Sequence, residues 1–325
     1  MDSFIFSVNA VLPLVTLVVL GYILRRIGLI SPAWAAAANK LCFRTFLPVL
    51  LFINVYSTDS LADVYWGLSI FAMGGILFGF ALGYLAQALF VTDRRQKGVV
   101  WQGVFRTNFA ILGIPLAISL FGEDGGRSTA VLSLFAIPMF NIFSVVSLRG
   151  CKDDAKLAGA KGLLLSIAKN PLIIGVFLGF VALFIRWLNP EALSLSNIPF
   201  LFSAVSTMSQ AATPLMLISL GAQFSFKSAR GLMKPLVITV FLRIILIPTI
   251  ILTTAFIFFP QFRGPDFASL ISIFATPVAI AATVMAVEMG GDEELAGQIM
   301  FWTTVISAVT IFLYVLVFRE LGALT

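Results

Sequence analysis

Apolar runs long enough to cross a bilayer recur along this 325-residue chain from one end to the other. They fall at approximately 4–24, 35–57, 64–91, 99–121, 128–148, 164–188, 200–223, 233–259, 267–289 and 296–318. A spanning helix needs about 20 apolar residues, so each run is a candidate span, and little chain is left over for a folded domain in water. The composition agrees: 60% of residues are hydrophobic and 11% charged, with a mean hydropathy of +1.04, whereas soluble domains carry about 25% charged residues. Lipid cannot satisfy open strand edges. The expected class is therefore an all-α polytopic membrane protein with ten transmembrane helices.

Several chemistries lose their usual apparatus at this stage. The chain has no histidine, which removes the commonest zinc ligand and the readiest proton relay near neutral pH. Cys42 and Cys151 lie far apart with no CxxC spacing and suggest neither a disulfide framework nor a metal site. No cofactor is expected. The formal charge of +6 could suit a nucleic-acid partner, but the basic residues sit in short clusters between apolar runs, a pattern that reads as membrane topology. The expected partners are the lipid bilayer and a small solute, with no nucleic acid.

The odd-numbered loops hold Arg25, Arg26, Lys40, Arg94, Arg95, Lys97, the Arg149–Lys169 cluster and the Lys227–Lys234 cluster; the even loops and C-terminus offer only Arg127, Arg186, Arg263 and Arg319. By the positive-inside rule the odd loops are cytoplasmic. Both termini then lie outside a cell membrane. The ninth loop dissents mildly, since Asp292-Glu293-Glu294 comes without Lys or Arg.

The basic connection near the midpoint leaves five spans on either side. An odd number per half gives the halves opposite orientations, the inverted-repeat design in which broken helices meet near the midplane around a substrate. The expected units are 1–149, a linker at 150–165, and 166–325, with helices 4 and 9 broken and crossing. Local sequence supports the pairing. Pro48 and Pro214 interrupt spans 2 and 7 at comparable places, and Asn108 stands fourteen residues before Gly122 as Pro277 stands fourteen before Gly291.

Polar groups inside the spans are the functional candidates. Span 4 puts Asn108, Gly113 and Pro115 together at membrane depth. Pro115 lacks an N–H and frees a carbonyl one turn earlier, and Gly113 eases unwinding; a proline kink absorbed by packing is the plainer alternative. Span 9 answers with "ATPVAIAAT". Arg44, Arg106 and Arg243 fall in or near spans while no Asp or Glu lies mid-span, and charges so placed are functional candidates by default. Fixed cations without buried carboxylates suit an anionic solute, with Arg44 expected nearest the crossing. The structural alternatives are that Arg106 snorkels to the surface and that Arg243 ties helix ends together.

The run N-x-x-x-x-G-I-P-L from Asn108, with Gly122 seven residues beyond Pro115, resembles the fourth helix of the auxin efflux carrier family, which includes the plant PIN exporters and bacterial organic-acid permeases. Arg44 four residues before Pro48, and "ATP" at 275–277 with Glu288 beyond, are similar to that family's second and ninth helices. The resemblance implies two inverted five-helix bundles and a transport domain built on crossing helices 4 and 9. It further implies a scaffold of helices 1, 2, 6 and 7, a homodimer through that scaffold, and elevator-like alternating access. It places Asn108, Pro115, Thr276, Pro277 and Asn141 at the substrate and Arg44 in support. A residue matching a second helix-9 proline of the plant exporters is Ala282 here, and the large central loop is absent.

The leading function is a carrier for small organic anions such as carboxylates or auxin-like acids, with a passive anion channel as the alternative. An intramembrane enzyme is disfavoured, because no nucleophile with an adjacent base is found. The charge pattern makes an orientation testable by single-cysteine labelling. Positions near 155 and 230 should be protected in intact cells, and those near 60 and 263 should react with an external reagent; external labelling of 150–169 would reverse the assignment.

Overall fold

The computed structural model describes residues 16–56, 65–149, 165, 168–188, 198–223 and 229–324. The expected linker at 150–165 lies outside them except for Leu165, as does the start of the first span. The described chain is helical: α1 over 16–26, α2 (Pro32–Leu41), α3 (Leu47–Tyr56), α4 (Trp66–Phe90), α5 (Arg94–Phe105), α6 (Ile114–Leu148), α7 (Pro171–Leu188), α8 (Pro199–Gln223), α9 (Ala229–Phe241), α10 (Ile247–Phe258), α11 (Pro265–Phe274), α12 (Ile280–Glu288) and α13 (Glu293–Glu320). α6 is kinked into two arms at Phe121 and Gly122, where Gly122 takes φ +59°.

Seven continuous stretches among the described residues have the length and hydropathy to cross a membrane: Pro32–Ile53, Trp66–Phe90, Asp124–Leu148, Pro171–Leu188, Pro199–Ser219, Gly231–Phe258 and Glu293–Glu320. The expected fourth and ninth spans are missing from this set for a physical reason. Each is interrupted, the fourth between α5 and α6 and the ninth between α11 and α12.

Proline sets the finer geometry. π-helical turns occupy Cys42–Phe46, Phe109–Gly113 and Leu242–Leu246. A proline follows each by two residues: Pro48, Pro115 and Pro248. A proline ring clashes with the carbonyl four residues earlier and gives it no N–H; that carbonyl belongs to residue 44, 111 or 244, inside the widened turn, where the clash is relieved.

The helices gather into two bundles. In one, α3 runs along α7 and, with α2, against α8, while α1 lies on α8, where the Arg25 guanidinium donates to the Ala222 carbonyl at 2.7 Å. Small residues permit these approaches, as in other membrane helix pairs. A methyl group added at Gly21 or Gly221 would run into the backbone of Ile218 or Val18, and one at Gly175 would strike the Pro48 carbonyl. The second bundle holds α4–α6 and α9–α13, with α4 on α5 and α6, α11 on α6, and α9 on α13. Buried apolar side chains of α3, α7, α8, α12 and α13 form one continuous cluster across both bundles.

Two ends of the second bundle can be told apart. At one, Arg95 donates to the carbonyls of Gly290 (3.3 Å) and Gly291 (3.2 Å), and Gln96 donates to the Asp292 carboxylate at 3.0 Å. The acidic ninth loop therefore shares its end with the basic third loop. At the other, Gly264 N–H donates to the Ala323 carbonyl at 2.9 Å and Ser128 donates to Asp266 at 2.7 Å.

The glycine contacts give a paired test. Gly175→Val should prevent assembly or cost at least the ~1–3 kcal/mol typical of overpacking. Gly74→Ala, where an added Cβ meets nothing within 4 Å, should hold or slightly raise the thermal unfolding midpoint, as removal of a mid-helix glycine does. Equal behaviour of the two proteins would refute the close α3–α7 packing.

Candidate functional site: the crossing of two interrupted helices

Two helices stop where they meet. Past the end of α5, Arg106 is extended (φ −81°, ψ 115°), and Asn108 leads into the π turn that opens the next helix. Past the end of α11 the chain runs through Thr276, Pro277 and Val278 to Ala279, which is also extended (φ −64°, ψ 138°) and opens α12. The two segments run antiparallel, with Thr107 paired to Val278. Asn108 N–H donates to the Pro277 carbonyl at 2.7 Å and Ala279 N–H donates to the Arg106 carbonyl at 3.4 Å. Val278 N–H finds the Thr303 hydroxyl of α13 at 3.2 Å. Backbone groups released by both interruptions are thus satisfied within the protein, as the bilayer requires.

Successive side chains of extended chain point to opposite sides, so Arg106 and Asn108 project together and Thr107 projects away from them. Arg106 is 4% exposed. Its Nη1 donates to Ser144 Oγ (2.6 Å) and the Phe140 carbonyl (3.4 Å) and lies 3.0 Å from Met285 Sδ; its Nη2 donates to Asn141 Oδ1 at 2.9 Å. Asn141 is held in turn by donating to the Ile137 carbonyl at 2.9 Å. On the α11 side, Arg243 is fully buried, and its Nη2 donates to the carbonyls of Phe274 (3.0 Å) and Thr276 (2.7 Å). No carboxylate pairs with either guanidinium among the described residues. Beside these groups lie the N-terminal ends of α12 and of the Phe109–Gly113 turn, whose first N–H groups lack intrahelical partners and carry partial positive charge.

The sequence-derived candidates sort as follows. Asn108 is buried at the break, and its side chain makes no cap hydrogen bond to the turn it precedes. Asn141 is joined to the crossing through Arg106. Pro277 supplies the carbonyl that Asn108 meets. Thr276 has its hydroxyl committed to the Ser272 carbonyl at 2.9 Å. Gly113 is a contact glycine as well as part of the widened turn, because a Cβ there would come within 2.7 Å of both the Ser272 carbonyl and the Phe109 ring. Pro115 is at the second position of α6; its side chain lies outside the described set.

Two expectations change. Arg44, expected nearest the crossing, is exposed on the π turn of the other bundle, because that turn directs its buried residues, Cys42 and Phe43, inward instead. The cations at the crossing are Arg106, which does not snorkel to the surface, and Arg243, which is tied to the end of α11. Ser144, Met285 and Phe140, the partners of Arg106, were not singled out from sequence, although Ser144 follows Asn141 by three residues on one helix face and so was within reach of a spacing argument. Thr303 carried no signal, since its role depends on where α13 lies.

A family model described as membrane transport protein matches residues 6–156 and 144–315. The chain belongs to this family, that of the auxin efflux carriers. It is 24% identical over 312 residues to an uncharacterized transporter of Methanothermobacter thermautotrophicus, covering 95% of this chain and 97% of the relative. It is also 24% identical over 315 residues to an uncharacterized transporter of Methanocaldococcus jannaschii, covering 94% and 97%. Both matches run almost end to end, so the interruptions and the helices that carry them fall within the shared region. The protein is a multi-pass membrane transporter.

The crossing is open to a direct stability test. Thr303→Val should leave the Val278 N–H buried without an acceptor and cost about 1–3 kcal/mol, seen as a lower unfolding midpoint in detergent. Thr303→Ser should recover most of the loss. Parent-like stability of Thr303→Val would show that this N–H has another partner.

Proposed function

We propose that this transporter carries small organic anions, carboxylates or auxin-like acids among them, and that the crossing is where the anion binds. The supporting observation is the pair of buried guanidiniums, Arg106 and Arg243, that no described carboxylate neutralises, set where two helix N-termini converge. In a low-dielectric interior such charge is felt strongly and is little screened by salt. Broken-helix carriers use these N-terminal ends for the anionic group of their substrates. Asn108, aligned with Arg106 along the extended segment, supplies an uncharged amide that can donate to a carboxylate.

Movement of the solute is read from the two bundles. The inter-element hydrogen bonds described above all fall within one bundle or the other, and where the bundles meet, α6 against α7, α12 against α8 and the Cys42–Phe46 turn, and α13 against α8, buried apolar side chains of all these elements join in one cluster. A greasy interface of this kind lets one body slide against its neighbour without breaking polar contacts. The bundle with the crossing would therefore travel as a unit against the α1–α3, α7, α8 scaffold, exposing the site to either side in turn, as in an elevator. An inverted five-helix repeat and a cell-membrane location with both termini outside complete the proposal.

Purified protein in liposomes tests it. A panel of mono- and dicarboxylates, aromatic acids, amines and sugars should show saturable uptake and counterflow for one or more acids, and a response confined to amines or sugars would discard the anion reading. Asn108→Ala should assemble normally and lose transport by roughly three- to tenfold or more, as removal of a ligand hydrogen bond worth about 0.5–1.5 kcal/mol, and more to a charged group, would do. Parent-like uptake by that variant would place the substrate elsewhere.

A further inference from the structure

Burying an arginine without a carboxylate is expensive, and neutral side chains of similar volume would usually leave a protein more stable. Among its described residues this chain does it twice, at the same crossing. What surrounds each guanidinium is informative. Arg106 is met by a side-chain amide oxygen, a hydroxyl and a main-chain carbonyl from one stretch of α6 (Asn141 Oδ1, Ser144 Oγ, Phe140 O), together with the Met285 thioether. Arg243 is met by two carbonyls, Phe274 O and Thr276 O, at the C-terminal end of the half-helix α11. Neutral oxygens of these kinds are ligands for hard cations. Carbonyls of unwound backbone and of half-helix C-termini are also where carriers with broken helices coordinate free cations.

We propose that Arg106 and Arg243 are tethered cations: their guanidinium groups permanently fill two oxygen-lined positions at the crossing that would otherwise take a free monovalent cation. The carbonyl end of α11 carries partial negative charge, which Arg243 offsets without any ion from solution. Arg106 does the same for the oxygen cluster on α6 and keeps its charge on the Asn108 side of the extended segment. Arg243 Nε is fully buried with no partner among the described residues. That orphaned donor indicates a group held at this position for its charge and its two carbonyl contacts, and not for a complete hydrogen-bond set. The inference concerns cation chemistry at the crossing and does not depend on which solute is carried.

Thermal unfolding of the full-length protein in detergent, in sodium, potassium or choline chloride at equal ionic strength, tests the assignment without any transport measurement. The parent should unfold at the same temperature in all three salts. Arg106→Ser and Arg243→Ser should each be less stable in choline, and each should gain a saturable stabilisation of a few degrees from sodium or potassium, as expected when an ion binds only the folded state. Arg106→Lys and Arg243→Lys should remain indifferent to the salt. A sodium- or potassium-specific rise in the parent would mean that the positions are already open, and folded serine variants that ignore all three salts would mean that no cation site lies beneath the guanidiniums. Either result overturns the proposal. Should the serine variants fail to assemble, Arg106→Asn and Arg243→Asn decide by the same three-salt comparison, and folded asparagine variants that ignore all three salts would overturn the inference. Absence of anion uptake by the parent protein, with these thermal results intact, would sink the proposed substrate and leave the tethered cations standing.

Discussion

A helix that stops inside a membrane releases N–H and C=O groups that lipid cannot bind, and the fold of this transporter is arranged around that requirement. Each of its two interrupted helices completes the other. Asn108 N–H reaches Pro277, Ala279 N–H reaches Arg106, and the Val278 N–H between them is taken by Thr303 from a third helix. Once the two breaks are paired in this way, their four half-helices cannot be repositioned independently. α13 must lie where Thr303 can reach, and the kinked α6 must bring Asn141 and Ser144 to Arg106.

Proline and glycine create the geometry in which that pairing is possible. Proline two residues after each π turn widens the helix without leaving its carbonyls to lipid, and glycine at 113 lets the α6 half-helix approach the α11 backbone. Glycines 21, 175 and 221 do the corresponding work in the other bundle, where they bring α1, α3, α7 and α8 into close contact. The same residue types thus serve two ends: tight packing where the scaffold is apolar, and controlled interruption where polar groups gather.

The charge distribution follows from the interruptions. Half-helix ends place partial charges of both signs near the crossing. Arg243 answers the negative end of α11, and Arg106 answers the oxygens of α6. The N-terminal ends lie beside Asn108, and among the described residues no carboxylate pairs with either guanidinium. Under the proposed reading this surplus of positive character is what an organic anion would neutralise, and the apolar contact between bundles is what would let the loaded crossing move.

Much of this was written in the sequence. The length and recurrence of apolar runs determined a helical membrane protein, because only helices satisfy their own backbone in lipid over such a chain. Asn108 with Gly113 and Pro115, and Thr276 with Pro277, marked both interruptions, because proline and glycine act on the backbone locally whatever surrounds them. The charge balance made an anion the expected solute on similarly local grounds, since no aspartate or glutamate stands mid-span, and that expectation is carried here as a proposal. Tertiary structure alone decided which arginines reach the crossing. Arg44, Arg106 and Arg243 look alike as charges in apolar runs; their fates differ because Arg44 is left exposed on one π turn, while extended backbone aims Arg106 at α6 and another π turn, Leu242–Leu246, carries Arg243 to the end of α11. Thr303 and Met285 likewise acquire their roles only from the placement of distant helices, a property of packing that no local pattern encodes.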